Sequence, residues 1–229
     1  MSIQNKKSAP LAAGEVAYQV KPDGYFSGTR PDFVNELPNN PNARILEIGC
    51  GEGGMGRSII AAGKCANYHA VELFREAADV ARQYFDQVIQ GDIEKMDELP
   101  WQSEHFDAII MSEVLEHLAD PLAVLRKLRV LLKPGGIVLA GSPNVAHHRV
   151  IRMLLRGEWQ LEDSGPMDRT HLRWFTPKSF KRLFEDAGFV VDQVVGLGTT
   201  GWKGRAVAML LCGHFDWLFA IQIKLKAHR

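Results

Sequence analysis

The sequence has few features of a secreted, membrane-spanning or polyanion-binding protein. It contains three cysteines among 229 residues, and Cys50, Cys65 and Cys212 have no metal-ligand spacing. A sparse, odd count is typical of reduced thiols, so we expect a cytoplasmic location. Lysine plus arginine equals aspartate plus glutamate. The formal net charge is therefore zero, and no global field favours a nucleic-acid partner.

Long apolar runs are also scarce. Residues 1–13 contain two lysines but no apolar stretch long enough for a signal peptide. The apolar segment 206–223 is interrupted by Gly213, His214 and Asp216, whereas a transmembrane helix needs about 20 nearly uninterrupted apolar residues. We predict a helix followed by a strand there and no transmembrane segment, and peripheral membrane contact stays open.

The length and the 46% hydrophobic content suit one large domain with an insertion. Strand-like and helix-like segments alternate from residue 43 onward. The predicted strands are 44–48, 67–71, 87–90, 106–111, 137–140, 189–195 and 218–227. Helices are predicted over 32–37, 55–62 and 74–85, from 113–118 with a restart at Asp120-Pro121, and after Thr176-Pro177. The alternation favours an α/β fold with a doubly wound, mostly parallel sheet and helices on both faces.

The most informative stretch is the apolar strand 44–48 and the glycine-rich loop that follows it. Gly49, Gly51 and Gly53 allow a sharp turn and let a ligand approach without meeting a Cβ atom. The predicted helix behind the loop would direct its first N–H groups at that ligand. The pattern therefore predicts a nucleotide-type cofactor loop.

The glycines alone do not select the cofactor, because they also fit the dinucleotide fingerprint G-x-G-x-x-G. Glu47 and Glu52 would repel a pyrophosphate and attract a cation such as S-adenosylmethionine, which carries a sulfonium and an ammonium. Residues 47–53 resemble motif I, E/D-x-G-x-G-x-G, of class I S-adenosylmethionine-dependent methyltransferases. The resemblance extends from about residue 18 to the C-terminus and implies seven strands in the order 3-2-1-4-5-7-6, the last antiparallel.

The resemblance also assigns cofactor contacts at the carboxyl ends of the strands, where open parallel sheets bind ligands. Glu72 would bind the ribose hydroxyls, Asp92 the adenine amino group, and Ile93 would line the adenine ring. Tyr25, with Arg30 soon after, resembles the family's N-terminal lid. The other implied cofactor residues are Glu47, Gly49, Cys50, Gly51, Gly53, Leu73, Ser112, Glu113 and His117. S-adenosylhomocysteine would be the product.

Residues 112–118, Ser-Glu-Val-Leu-Glu-His-Leu, resemble the segment after strand 4 in methyltransferases that act on quinone precursors and sugars. This resemblance places His117 near the transfer site. Glu113 and His117 could equally form an i,i+4 helix pair worth a few tenths of a kcal/mol. No N-P-P-Y-type tetrapeptide follows the strand, which argues against methylation of the amino group of adenine or glutamine.

Residues 143–175 interrupt the alternation, and long excursions from a compact fold are usually functional. Residues 168–176 resemble the D-x-T-H-L-R-x-F-T signature of methyltransferases from polysaccharide pathways. We therefore expect an acceptor-binding insertion at 143–175, with His171 as the leading base and His117 as a second catalytic candidate. The further acceptor-binding candidates are Asn144, His147, Asp168, Arg169 and Arg173. A structural corner, with Asp168 paired to Arg173 and His171 bonded to backbone, is the alternative.

Residues 147–182 contain eight lysines and arginines and four acids. This excess favours an anionic acceptor, although a solvated helix face would also explain Lys178, Lys181 and Arg182. The sequence predicts an N-terminal arm and lid at 1–40 and a methyltransferase domain at 41–229, without metal. We expect O-methylation of a small molecule or glycan. A bacterial cell-surface saccharide is the leading candidate for the acceptor. An NAD-dependent oxidoreductase and a non-catalytic S-adenosylmethionine-binding module are the alternatives.

Overall fold

Seven strands form one sheet in the part of the chain that the computed structural model describes, residues 28–198 and 216–229. They are β1 (Arg44–Ile48), β2 (Asn67–Glu72), β3 (Gln87–Gln90), β4 (Phe106–Ser112), β5 (Leu132–Pro143), β6 (Val190–Leu197) and β7 (Gln222–His228). Their order is β3-β2-β1-β4-β5-β7-β6. The pairs among β1 to β5 are parallel, and β7 runs antiparallel to β5 and to β6. The predicted sheet order and the antiparallel last strand are confirmed.

Six helices in the described residues accompany the sheet. They are α1 (Pro31–Glu36), α2 (Gly54–Ala61), α3 (Arg75–Ala81), α4 (Pro121–Leu131), α5 (His148–Leu154) and α6 (Pro177–Asp186). Short 3₁₀ turns span Leu115–His117, Gly165–Met167 and Asp216–Leu218. Within residues 28–198 and 216–229, no helix has the length and apolar character needed to cross a membrane.

Neighbouring residues of β1 pack into two different apolar clusters. Leu46 lies in the cluster that contains Leu125 of α4 and Phe184 of α6. Ile45 lies in the cluster that contains Phe33 of α1 and Ile59 of α2. Because successive side chains of a strand point to opposite faces of the sheet, helices cover both faces, as the alternating pattern predicts.

The predicted starts of α4 and α6 are confirmed by their caps. Asp120 Oδ1 accepts the Ala123 N–H at 3.0 Å. Thr176 Oγ1 accepts the Ser179 N–H at 3.2 Å, and Ser179 Oγ accepts the Thr176 N–H at 2.9 Å. These bonds satisfy N–H groups that have no partner inside a helix, so local sequence determines where both helices begin.

Several predicted element boundaries are wrong. The helix predicted over 74–85 ends at Ala81, and β5 spans Leu132–Pro143 instead of 137–140. The helix predicted to begin over 113–118 is only a 3₁₀ turn. Glu113 adopts a φ of 56° and donates its N–H to the Gly141 carbonyl at 3.0 Å. This contact with β5 turns the chain at the point where a helix would have to start.

The C-terminal predictions need a similar correction. The last strand begins at Gln222 and not at 218, because Asp216–Leu218 forms a 3₁₀ turn. The helix predicted over the preceding apolar segment lies outside the described residues.

Part of the predicted N-terminal arm packs into the domain. Phe33 and Leu37 are buried in the apolar cluster that contains Ile45 of β1. Glu36 binds two lysines of β7, with Lys224 Nζ at 2.9 Å from Oε1 and Lys226 Nζ at 3.1 Å from Oε2. Helix α1 is therefore tied to the sheet, while residues 1–27 of the arm and lid predicted at 1–40 lie outside the described residues.

Candidate active site

The glycine loop between β1 and α2 has the backbone that its sequence predicts. Gly49, Gly51 and Gly53 have φ values of 73°, 53° and 86°, where a side chain would strain the backbone. A Cβ atom at Gly49 would lie 2.6 Å from Val114 Cγ2, and one at Gly53 would lie 2.8 Å from Phe85 Cζ. The glycines therefore allow both the turn and the close packing of the loop against its neighbours.

Both carboxyl oxygens of Glu72, at the end of β2, bind backbone N–H groups. Oε2 accepts from Gly51 at 2.8 Å, and Oε1 accepts from Phe74 at 2.9 Å. Burial raises the pKa of the Glu72 carboxyl, and the backbone donors oppose this rise. A carboxylate oxygen has two lone pairs, so each oxygen can also accept a bond from a ligand hydroxyl such as a ribose hydroxyl.

Glu47 is almost fully buried on β1, with 2% of its surface exposed. Its Oε2 accepts the Tyr68 hydroxyl at 2.8 Å. Burial raises the pKa of Glu47 to about 8, against the opposing effect of the Tyr68 bond, and the nearby Glu72 carboxyl adds to the rise. A pKa of about 8 favours protonated Glu47 at neutral pH, and a nearby cation would favour the negative charge expected from the sequence.

Glu47→Gln should make the stability of the protein less dependent on pH. The folded-state pKa of about 8 exceeds the unfolded value near 4.5, so the stabilising contribution of protonated Glu47 is lost as the pH rises through this window. In the wild type, Glu47 should lower the free energy of unfolding by up to roughly 1.4 kcal/mol for each pH unit in this window. Urea unfolding between about pH 5 and pH 8 measures the slope.

Glu76→Gln is the control, since Glu76 is an exposed acid in the first turn of α3 and its side chain remains in water when the protein folds. Equal slopes for wild type and Glu47→Gln would contradict the assignment.

Asp92 follows β3 beside the end of β2. The Gly91 N–H donates to the Glu72 carbonyl at 2.8 Å, which holds this corner next to the glycine loop. Asp92 Oδ2 lies 2.9 Å from Lys95 Nζ, and Oδ1 accepts the Glu94 N–H at 3.0 Å. Asp92 therefore lies at the predicted edge, and its contact with adenine stays a prediction.

The remaining residues proposed near this part of the cofactor have mixed surroundings. Ile93 is buried in the apolar cluster that contains Leu46 of β1, whereas Leu73 is 41% exposed. The thiol of Cys50 lies 3.4 Å from the Gly51 carbonyl oxygen. Burial raises the pKa of this thiol far above its ordinary value, which favours the protonated thiol, and its contact with the cofactor stays a prediction. Tyr25 lies outside the described residues.

Arg30 joins Ser112 and Glu113 at the carboxyl end of β4. Its Nη1 atom lies 3.4 Å from Ser112 Oγ and 3.8 Å from Glu113 Oε1. The guanidinium also lies over the Phe33 ring, 4.4 Å from its centroid. Burial raises the pKa of Glu113 to about 7, and Arg30 opposes the rise. The sequence named Arg30 only as part of a lid, and the structure places it against the strand that leads to the predicted transfer site.

A carboxyl group and two imidazoles lie together just beyond β4. One donor atom from each of Glu116, His117 and His171 lies within 4.8 Å of the others. The ring centroids of His117 and His171 are 4.9 Å apart. The two predicted catalytic histidines are therefore neighbours. Glu116 was part of the sequence motif but received no role there, although its position next to His117 and three residues after Glu113 was a usable signal.

Backbone hydrogen bonds hold the 143–175 segment against this 3₁₀ turn. The Leu172 and Arg173 N–H groups both donate to the Glu116 carbonyl, at 2.8 and 3.0 Å. The ends of the segment are also joined, because the Val145 N–H donates to the Phe175 carbonyl at 3.0 Å. These contacts bring His171 beside residues much earlier in the chain.

Each of the two imidazoles faces a backbone carbonyl through Nδ1. His117 Nδ1 lies 3.2 Å from the Thr170 carbonyl oxygen, and His171 Nδ1 lies 3.4 Å from that of Pro166. A carbonyl oxygen only accepts hydrogen bonds, so Nδ1 carries the hydrogen in both rings. In the neutral rings the lone pair is then on Nε2.

Glu116 has an unusual environment for a carboxyl group. It is 1% exposed, and neither of its side-chain oxygens has a hydrogen-bond partner. Burial and the neighbouring Glu113 carboxyl raise the pKa of Glu116 well above its ordinary value, and Asp168 adds to the rise. The Ser142 hydroxyl is near enough to lower the pKa, yet makes no hydrogen bond of standard geometry. Buried polar groups without partners are rare and are often functional.

Asn144, a predicted acceptor ligand, uses its amide to join chain segments. Its Nδ2 donates to the Trp217 and Ala220 carbonyls at 2.7 and 2.8 Å. Its Oδ1 accepts the Ala146 N–H at 3.0 Å. These bonds connect the end of β5 to the approach to β7, so they are structural contacts.

The signature segment also makes many internal contacts. Asp168 Oδ1 accepts from the Thr170 N–H and hydroxyl at 2.9 and 2.7 Å. Arg169 pairs with Asp163 at 2.7 Å, and Arg173 donates to two backbone carbonyls. These are contacts within the protein, as in the structural-corner alternative, but Arg173 bonds to backbone carbonyls, whereas that alternative paired it with Asp168. Acceptor roles for Asp168, Arg169 and Arg173 stay predictions.

His147 lies beyond β5 and outside the cluster of Glu116 and the two histidines. It is buried, and its ring centroid is 4.2 Å from that of His148. Burial lowers the pKa of His147 to about 4, with smaller contributions from His148 and Arg149. The ring is therefore neutral at physiological pH, and its acceptor role is a prediction.

Comparisons with known proteins agree with this arrangement. A family model described as a methyltransferase domain matches residues 15–194. Ubiquinone biosynthesis O-methyltransferase from Xylella fastidiosa (strain M23) is 29% identical over 200 residues, which cover 81% of this chain and 76% of that protein. The protein of the same name from Aeromonas salmonicida (strain A449) is 28% identical over 184 residues, with coverages of 78% and 76%. A solved S-adenosylmethionine-dependent methyltransferase from Archaeoglobus fulgidus has a TM-score of 0.65 at 18% identity, covering 90% of this chain and 97% of that one.

Proposed function

Because this chain belongs to the class I S-adenosylmethionine-dependent methyltransferases, we propose that it methylates a hydroxyl oxygen of a small phenolic molecule. The observation that carries the proposal is the buried, unpartnered carboxyl of Glu116 beside His117 and His171. Membership of this family excludes the alternative that the glycine pattern left open, an NAD-dependent oxidoreductase.

The residues around the glycine loop suit a cationic cofactor. S-adenosylmethionine supplies a methyl group on a positively charged sulfur. Glu72 would accept the ribose hydroxyls, and Asp92 would accept the adenine amino group. Arg30 would bind the carboxylate of the methionine part. Glu113 and Glu47, whose pKa values are raised to about 7 and about 8, would ionise when a cation comes near and so favour the charged cofactor over its neutral thioether product.

Methyl transfer to a hydroxyl also requires removal of a proton. The O–CH₃ bond forms as the S–CH₃ bond breaks, and the electron pair of the broken bond stays on sulfur in S-adenosylhomocysteine. The acceptor's proton passes to Nε2 of His171, which carries the lone pair because Nδ1 faces the Pro166 carbonyl. General-base catalysis of this kind contributes about 10²–10⁴-fold. Glu116 and His117 would stabilise the charged imidazole.

A phenolic hydroxyl suits this chemistry better than a saccharide hydroxyl. The phenol of tyrosine has a pKa near 10, so a neutral imidazole removes its proton more readily than that of an alkyl alcohol. The curated relatives are named O-methyltransferases of ubiquinone biosynthesis. The case for an anionic saccharide depended partly on Arg169 and Arg173, which bind other groups of the protein. We therefore rank the phenol above the saccharide expected from the sequence.

An acceptor panel tests the proposal. The purified protein and S-adenosylmethionine would be incubated with 3,4-dihydroxybenzoate, 4-hydroxybenzoate or glucuronate, with S-adenosylhomocysteine and product mass measured. We expect an aromatic methyl ether. His171→Ala should lower kcat by roughly 10²–10⁴-fold and leave S-adenosylhomocysteine affinity near the wild-type value. His105→Ala is the control, because His105 lies outside the cluster and should preserve kcat.

Methylation of glucuronate alone would replace the phenol with a saccharide acceptor. Tight binding of S-adenosylhomocysteine without methylation of any acceptor would favour the non-catalytic module. An unchanged kcat in His171→Ala would remove His171 as the base.

A further inference from the structure

We propose that Glu94 and Arg173 are positioning residues that connect the adenine end of the cofactor site to the segment that carries His171. Their contacts with the backbone do not depend on what the enzyme methylates. Their effect on turnover rests on the proposed O-methylation, in which His171 accepts the proton. In this role neither side chain touches a reacting atom, and both act through the chain segments that they join.

Glu94 joins the loop after β3 to the chain that enters α4. Its Oε1 accepts the Asp120 N–H at 2.7 Å, and its Oε2 accepts the Ala119 N–H at 3.0 Å. The two oxygens therefore bind consecutive backbone groups, which fixes both the place and the direction of the carboxyl. Hydrogen bonds to an ionised carboxyl are also about twice as strong as bonds between neutral groups.

The loop that carries Glu94 also carries Asp92, the residue predicted to bind adenine. Asp92 Oδ1 accepts the Glu94 N–H at 3.0 Å. From α4, the Lys127 ammonium donates to the Ile93 carbonyl at 3.0 Å and to the Met96 carbonyl. The loop is thus bonded to the start of α4 by Glu94 and to its middle by Lys127, so the adenine loop and this helix form one unit.

Arg173 joins the same stretch of chain to the segment of His171. Its Nη2 donates to the Ala119 carbonyl, and its Nη1 donates to the Leu172 carbonyl at 2.9 Å. The planar guanidinium presents several donors in a fixed fork, so it holds one carbonyl in each segment. The Leu172 and Arg173 N–H groups bind the Glu116 carbonyl nearby. The residue next to Leu172 is His171, whose backbone is therefore held on both sides of this turn.

Ala119 takes part in both side-chain contacts, since its N–H binds Glu94 and its carbonyl binds Arg173. We call this series of bonds the Glu94–Ala119–Arg173 link. A cofactor that holds the loop at Asp92 would, through the link, also hold the segment of His171. A general base must lie about 2.6–3.2 Å from the atom that gives up the proton, and a misplacement of about 1 Å can cost about 10²-fold in rate.

This role differs from the acceptor contact predicted for Arg173 from the sequence. Removing a side chain that binds the acceptor equally in the ground state and in the transition state raises KM and leaves kcat unchanged. Removing a residue that positions the base lowers kcat and leaves KM unchanged, because the lost interaction matters only during proton transfer. The two kinetic constants therefore distinguish the two roles.

Amide hydrogen exchange, followed by NMR, tests the link without any acceptor. In the wild type, saturating S-adenosylhomocysteine should slow exchange of the Leu172 N–H by at least about threefold, because local opening of its segment becomes rarer. The ligand should have no such effect in Glu94→Ala or Arg173→Ala. Glu94→Gln and Arg173→Lys each keep part of the contact, so each should show a smaller effect than the wild type.

The controls change exposed residues of the same charge. Glu98→Ala alters an acid that follows the same loop, and Arg182→Ala alters an arginine of α6. Both should respond to S-adenosylhomocysteine like the wild type. Circular dichroism would confirm that each variant is folded, and the partial variants Glu94→Gln and Arg173→Lys carry the test if an alanine variant does not fold.

Kinetics with 3,4-dihydroxybenzoate test the effect on turnover. Glu94→Ala and Arg173→Ala should each lower kcat by about tenfold to 10²-fold, with the acceptor KM and the affinity for S-adenosylhomocysteine near the wild-type values. The Glu94 N–H, which Asp92 accepts, is present in both variants. The double variant should lose less than the product of the two single losses, because each change breaks the same link.

Failure of the inference can be distinguished from failure of the proposed function. The link is wrong if S-adenosylhomocysteine leaves exchange of the Leu172 N–H unchanged in the wild type or slows it equally in all folded variants. A raised acceptor KM with an unchanged kcat in Arg173→Ala would make Arg173 an acceptor ligand, and kcat losses that multiply in the double variant would contradict a shared link. Ligand-dependent exchange that both alanine variants abolish, without methylation of any acceptor, would support the link and contradict the proposed function.

Discussion

Glu116→Gln should lower turnover by roughly 10²–10⁴-fold and at the same time make the protein more stable. The loss of turnover is expected because the Glu116 carboxyl can ionise when the imidazole of His171 becomes charged beside it, and glutamine cannot. The side chains are similar in size, so the packing beside Ser142 and His171 should change little. Initial rates of S-adenosylhomocysteine formation with 3,4-dihydroxybenzoate measure the effect.

The expected gain in stability follows from the raised pKa of Glu116. A carboxyl whose folded-state pKa exceeds its unfolded value stabilises the fold below the unfolded pKa, and this contribution is lost as the pH rises toward the folded pKa. The wild type should therefore lose stability relative to Glu116→Gln above about pH 4.5, by up to roughly 1.4 kcal/mol per pH unit. Urea unfolding of both proteins between about pH 5 and pH 8 measures this difference.

Glu158→Gln is the control for this experiment, because Glu158 is an exposed acid and should change neither turnover nor stability. A Glu116→Gln variant that turns over like the wild type would exclude Glu116 from the chemistry. One that is less stable than the wild type at about pH 8 would show that the carboxyl has a stabilising partner.

Glu72→Ala should weaken cofactor binding and destabilise the glycine loop together. The change removes the acceptor of the Gly51 and Phe74 N–H groups and the proposed partner of the ribose hydroxyls. Hydrogen bonds to a charged group contribute about 1.5–3 kcal/mol each. We therefore expect the free energy of unfolding to fall by about 2–4 kcal/mol, and S-adenosylhomocysteine to bind at least about tenfold more weakly.

Calorimetry with S-adenosylhomocysteine and urea unfolding provide the two measurements. Glu72→Gln should be intermediate, because its one carbonyl oxygen can still accept a backbone bond. Glu76→Ala removes an exposed acid from the first turn of α3 and should cost no more than about 1 kcal/mol. Cofactor affinity that survives in folded Glu72→Ala would contradict the ribose assignment and the predicted ligand edge.

Much of the sheet could be predicted because its signals are local. The apolar residues of β1, the positive φ values of Gly49, Gly51 and Gly53, and the Thr176–Ser179 capping box each depend on residues a few positions apart. The wrong boundaries occur where a distant strand competes with local preference. Glu113 is the example, since its bond to Gly141 of β5 replaces the helix that its neighbours favour.

The sequence by itself determined the α/β architecture and the glycine loop, because alternating apolar segments and glycines act over a few residues. Only the tertiary structure decided which polar side chains share one site. The bonds of Leu172 and Arg173 to the Glu116 carbonyl bring His171 to Glu116. The side chains of Asn144 and Arg173 bond to backbone carbonyls, and their acceptor roles stay predictions. The physical reason is that a side chain's partners depend on backbone contacts between distant segments, and no local pattern encodes them.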